Sequence, residues 1–206
     1  FTFENNEENR ELFAQALEEM AAITNDYGIT QPNPVEYNPY AIRTLFRDGQ
    51  VGMYLDGVWA VKELLTELDK GEESKFNTGL FPAGPAGSHP IMGCDGWAIP
   101  EACENKEEAW ELIQCLMSSD NQTSHALQWG LLPILESEKG KEEFSGEYWD
   151  ALIEQESTVA ARPKDRNVAM IEQAVADGAQ AAAMRSMTPD EAMDYMIDTV
   201  KANYNG

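Results

Sequence analysis

Two short stretches of the chain pair a carboxylate with an indole: Asp56-Gly57-Val58-Trp59 and Asp95-Gly96-Trp97. A flat aromatic face covers apolar C–H surface, and a carboxylate accepts hydrogen bonds from several hydroxyls at once. Such groups grip a neutral polyhydroxylated guest; they do not by themselves break its bonds. Gly57 lets backbone approach closely, and the amides of a helix starting there can donate to a hydroxyl. Arg162, just before Pro163, offers a planar fork of donors to a hydroxyl pair or a carboxylate. Each candidate also has a plainer reading. By itself, a Trp in the first turn of a helix belongs to a core. Asp95 equally suits a turn cap ahead of a buried Trp97, and Arg162 a hinge ion pair.

Groups for bond-making chemistry are scarce. The histidines are His89, in a Pro/Gly turn, and His125, on a predicted helix. Nothing forces either to converge with a nucleophile and an acid. The chain lacks G-x-S-x-G, H-E-x-x-H, G-x-x-x-x-G-K and D-x-D-x-D-G. Cys94, Cys103 and Cys115 form no C-x-x-C pair, and their odd number rules out a complete disulfide framework. No catalytic residue, metal ligand or cofactor is therefore expected. With 37 acidic residues, a two-carboxylate glycosidase stays open by counting alone. A non-catalytic module that recognises another protein is the other alternative.

The 206 residues carry 37 acids against 14 bases, a net charge of −23. That field repels nucleic acid and anionic membrane surfaces, so neither is expected as a partner. The acids are dispersed, as in Glu7-Glu8, Glu18-Glu19, Glu72-Glu73 and Glu142-Glu143, which reads as a solvated exterior. No run approaches the ~18–20 apolar residues of a membrane span, and the opening lacks the pattern of a secretory signal. Phe1 falls just ahead of a helix, as in a chain cut from a longer one.

The elements that must position the candidate residues are mostly helical. Asn6 is a plausible N-cap for a helix whose apolar face carries Leu12, Phe13, Ala16, Leu17, Met20 and Ile23, with Gly28 as its stop. Residues 40–48 read as a short helix ending near Gly49, and Val51 to Leu55 as a compact strand. Gly57 turns the chain into a helix bearing Val58, Val61, Leu64, Leu65 and Leu68, with a stop at Gly71. Further strands are expected at 76–82 and 97–100. Asn105 with Glu108 at N3 predicts a capping box, and the helix that follows carries Trp110 on its apolar face. The next helix stops at Gly130 after Trp129; both indoles read as structural, whereas Trp149 fits the surface or a lobe contact. A long Ala/Met-rich helix is expected over 166–184. Thr188-Pro189-Asp190-Glu191 is a strong helix start, and Met170, Met184, Met187, Met193 and Met196 follow core spacing. The pattern is α/β, helix-rich with a few short strands.

Several motifs recur in a familiar order. Phe46-Arg47-Asp48-Gly49-Gln50-Val51-Gly52-Met53-Tyr54-Leu55-Asp56-Gly57-Val58-Trp59 resembles the signature of the family 1 extracellular solute-binding proteins, the group that contains maltose-binding protein. Gly79-Leu80-Phe81-Pro82-Ala83-Gly84-Pro85 is similar to that family's G-x-x-P-x-P-x-G region, with Phe81 and Ala83 altering the spacing. Gly93-Cys94-Asp95-Gly96-Trp97-Ala98-Ile99, Lys106-Glu107-Glu108-Ala109-Trp110, Trp129-Gly130-Leu131-Leu132-Pro133 and Thr188-Pro189-Asp190-Glu191-Ala192-Met193 continue the likeness.

The resemblance implies a type II periplasmic-binding-protein-like fold, of which this chain is the C-terminal lobe with the N-terminal half absent. It implies that residues 1–98 and 157–206 form that lobe while 99–156 cross to pack on the other. The function implied is capture of a sugar or oligosaccharide between two lobes and delivery to the permease subunits of an ABC importer. The protein would be a monomer, extracellular or periplasmic, and lipid-anchored through a segment outside this chain. The resemblance also places Trp59 at a position that commonly stacks on sugar, joined by Asp56, Gly57, Asp95, Trp97 and Arg162 as ligand contacts.

Overall fold

The computed structural model describes residues 1–31, 33–68, 76–146 and 148–204. The chain divides into two compact units, one of Phe1–Ala41 with Pro163–Gly206 and one of Ile42–Arg162.

The first unit is built on α1 (Glu7–Asn25), together with two helices from the far end of the chain that are labelled below. Asn6 caps α1 as expected, its side-chain oxygen accepting from the Asn9 amide at 3.0 Å, and Gly28 takes the left-handed conformation just beyond the helix. The core gathers Phe3, Leu17, Ala182, Ala192, Met193, Met196 and Ile197, with Phe13, Val175 and Met187 packed against it. Met193 and Met196 are thus core, as their spacing predicts, and Met170, Met184 and Met187 are half-buried.

Within the second unit, α2 (Pro39–Arg47, begun in the first unit) leads through an irregular segment to α3 (Trp59–Leu68). Next come β1 (Ile91–Met92), α4 (Lys106–Leu116), α5 (Ser119–Trp129), the single turn α6 (Glu136–Lys139), α7 (Trp149–Glu156) and β2 (Ala160–Ala161). β1 and β2 pair in parallel, Ile91 with Ala160 and Met92 with Ala161. The carboxylate of Glu138, almost fully buried, ties α5 to α6: it accepts from Ser119 Oγ at 2.6 Å, from Thr123 and from Ser137, and pairs with Lys141. These donors hold its carboxyl well down, at about 2.

The remaining helices, α8 (Val168–Ala183) and α9 (Pro189–Asn203), complete the first unit. Ala174, Gly178 and Ala182 recur every fourth residue along α8 and are buried, so α9 lies close against them. A Cβ at Gly178 would meet Met196 Cε at 2.7 Å, Met196 Cγ at 2.9 Å and the Ala192 carbonyl at 3.1 Å. The Thr188–Glu191 capping box forms as predicted.

Several local expectations give way. Residues 51–55, 76–82 and 97–100 form no strand; among the described residues the strands are β1 and β2. A short apolar run is compatible with a strand but becomes one only where a neighbouring segment supplies the ladder. Asn105 makes no side-chain cap on α4. Trp110 and Trp129 are not core: they are 52% and 60% exposed. The expected stop at Gly71 and the Glu72-Glu73 pair lie outside the described residues.

Candidate functional site

All the candidate residues fall in the second unit. At the entry to α3, the Asp56 carboxylate is tucked in at 11% exposure and is fully engaged. Its Oδ1 accepts from the Gly57 amide at 2.7 Å, and its Oδ2 accepts from Arg43 Nη2 at 2.9 Å and Nε at 3.2 Å. Arg43 is buried on α2 and also pairs with Glu63, one turn into α3. The half-buried Tyr54 phenol lies beside this pair; burial and then the Asp56 charge push its pKa up.

Gly57 holds the indole of Trp59. A Cβ on residue 57 would overlap Cη2, Cζ2 and Cζ3 of that ring, so the ring can hold this pose only while residue 57 is glycine. The ring leans over the turn and stays 50% exposed, unlike a core indole. α3 meets the C-terminal end of α5 through Lys62. Gly130, in the left-handed conformation at φ 68°, ends α5, and the Leu131 amide bonds back to the Ala126 carbonyl at 2.9 Å. That cap leaves the Leu127 carbonyl for Lys62 Nζ, which donates to it at 2.7 Å. A Cβ on Gly130 would meet Lys62 Cβ at 2.7 Å. The two motif glycines thus serve one purpose, fixing where α3 starts and where its indole lies.

The remaining candidates follow the strand pair. Because β1 and β2 run in parallel, the chain leaves both at the same end: Gly93-Cys94-Asp95-Gly96-Trp97 from β1 and Arg162 from β2. Carboxyl ends of parallel strands are where open α/β sheets place their ligands. Asp95, Trp97 and Arg162 are exposed there, Trp97 at 61%. The Asp95 carboxylate has no protein partner among the described residues.

The loop before β1 is pinned from α7. Gln155 accepts from the Phe81 amide at 2.6 Å and donates to Ser88 Oγ at 3.3 Å and to Thr158 Oγ1 at 2.5 Å. The His89 ring faces two backbone carbonyls, Thr158 at 3.2 Å from Nδ1 and Ala86 at 2.9 Å from Nε2. Only the doubly protonated ring donates to both, and these carbonyls, Ala86 first, raise its pKa.

Sequence reasoning missed Arg43, Lys62 and Gln155. Arg43 had one available signal, a basic residue in the middle of a short helix ahead of Asp56 and Glu63. The hydrogen bonds of Lys62 and Gln155 reach Leu127 and Phe81, far along the chain, and no local pattern marks them. A separate concavity of about 470 Å³ between α3, α5 and α7 is lined by Val61, Leu65, Leu127 and Trp149 and contains none of the candidate residues. Among the described residues, no group of three or more His, Cys, Asp or Glu is placed to hold a metal, and no helix is long and apolar enough to cross a membrane.

The fold matches about half of a periplasmic-binding-protein fold. The chain superposes on the maltose-maltodextrin binding protein of Alicyclobacillus acidocaldarius with a TM-score of 0.76 at 18% identity, covering 91% of this chain and 50% of that one. A cyclo/maltodextrin-binding protein in complex with maltotetraose gives 0.70 at 17% identity, over 93% of this chain and 49% of that one. Proteins named as binding proteins from Brucella abortus strain 2308 and Brucella suis biovar 1 are 29% identical over 125 residues, 60% of this chain and 28% of theirs. The sequence profile described as bacterial extracellular solute-binding protein matches residues 2–151, and the chain belongs to that family. It spans about half the length of the solved structures it matches.

Proposed function

We propose that the protein carrying this chain captures a sugar or oligosaccharide outside the cell and hands it to the permease of an ABC importer. The observation that supports this most directly is the pair of half-exposed or better indoles, Trp59 and Trp97, each following an Asp-Gly step. An exposed indole loses contact with water when a sugar ring stacks on it, so binding favours such surfaces. Trp59 is the platform in this reading, and Asp95 and Arg162 supply acceptors and donors to hydroxyls. Asp56 and Gly57 act behind the indole, since the Asp56 carboxylate is already engaged. Maltodextrin binding by the structural relatives makes linear glucose oligomers the first ligands to try.

Residues 1–98 and 157–206 belong to the C-terminal lobe and 99–156 to a crossing that packs on the other. A lipid anchor outside this chain holds the protein at the surface, extracellular or periplasmic, as a monomer. The action is capture by lobe closure, without catalysis.

Thermal shift and titration calorimetry on the intact protein, with a panel of mono- and oligosaccharides, test this. One sugar class should raise the melting temperature. Trp59→Ala should weaken its binding by ~1 kcal/mol or more, about fivefold. No stabilisation by any sugar would sink the proposal, and sugar turnover would replace it with the glycosidase reading.

A further inference from the structure

We infer that Arg43, which belongs to neither aromatic-acid motif, is the positioning residue for the Trp59 indole. Its guanidinium, on a side chain 5% exposed, holds two acids that bracket that residue. Asp56, in the turn before α3, takes two donors from it, at 2.9 and 3.2 Å. Glu63, one turn after Trp59, takes another. Asp56 in turn fixes the Gly57 amide at 2.7 Å, and Gly57 is the surface on which the indole lies. One planar, permanently charged fork therefore locks the turn in front of Trp59 and the helix behind it to α2. A fork of fixed geometry restricts both the direction of α3 and the pose of the ring, which a flexible ammonium in its place would not. Glu63 is half exposed, 48%, so a pair formed only for stability would draw little from it. Its place in the clamp is geometric.

The inference concerns the pose of the ring, which can be read without any ligand; its effect on affinity rests on the sugar-binding proposal above. The intact protein is labelled with 5-fluorotryptophan, and the Trp59 resonance is assigned by its loss in Trp59→Phe. Arg43→Gln should shift or split that resonance and leave those of Trp97 and Trp110 in place. An unmoved Trp59 signal in folded Arg43→Gln protein would overturn the inference. If Arg43→Gln does not fold, Glu63→Gln removes only the half-exposed arm and should give a smaller shift of the same signal; no shift would be equally fatal. With a bound sugar, Arg43→Gln should weaken affinity several-fold in the parent and cause no further loss in the Trp59→Ala background. Additive losses would show that Arg43 does not act through the indole. If the parent binds no sugar, the functional reading falls, and the fluorine spectra alone decide the role of Arg43.

Discussion

The ring of Trp59 lies over the α-carbon of Gly57 so closely that no side chain fits between them. Gly57→Ala must therefore expel the indole from its resting place or tilt the turn that carries it. Its expected effect on sugar affinity equals that of Trp59→Ala, about fivefold, with a shift in indole emission and intact helical circular dichroism. Calorimetry on both variants checks this; full affinity in Gly57→Ala would mean that the resting pose does not matter for binding.

A second glycine makes a stability prediction. Alanine at 178 gains ~1 kcal/mol of helix propensity but meets Met196 and the Ala192 carbonyl, and overpacking of this kind costs ~1–3 kcal/mol. The methyl end of Met196 can swing away, whereas the Ala192 carbonyl is held in α9. Net destabilisation of about 1 kcal/mol is expected for Gly178→Ala, read as a lower urea midpoint with unchanged slope. A raised midpoint would show that α8 and α9 separate more easily than their packing implies.

Two groups bracket the pH range. His89 has a raised pKa in the folded protein, so its stabilisation is complete below its ordinary value of 6.5 and is lost as pH rises through the folded value. Glu138 is lowered to about 2 from 4.5, so its contribution is present above 4.5 and disappears as pH falls toward 2. The melting temperature of His89→Gln should accordingly fall less than that of the parent between neutral and mildly alkaline pH. Glu138→Gln should flatten the acid limb. A His89 titration midpoint at or below 6.5 by nuclear magnetic resonance would remove the first half of this prediction.

The main helices were legible because their signals are local. Asn6, Thr188-Pro189-Asp190-Glu191 and Gly49 act on the backbone within a turn of themselves, whatever lies beyond. The order of motifs from Phe46 to Met193 likewise carried the family, since membership is written in residue types and spacing. The apolar runs at 51–55, 76–82 and 97–100 show the limit. Each reads as a short strand candidate, but a strand needs a second segment to supply its ladder, and among the described residues none of the three is paired in one. Trp110 fails for a related reason: its helical stripe is apolar, yet only a packed neighbour turns a stripe into a core, and the ring stays half exposed.

The sequence by itself determined the helices that stop and start on their own caps, the acidic exterior, and which indoles stand beside carboxylates. Tertiary structure alone decided what those groups do. Asp56 answers to Arg43, Trp59 rests on Gly57, Gly130 admits Lys62, and the segments carrying Asp95 and Arg162 leave the parallel pair β1–β2 at the same end. Apart from Trp59 on Gly57, these relationships join residues a dozen or more positions apart, and which of them form depends on the packing of whole elements rather than on any neighbour in sequence.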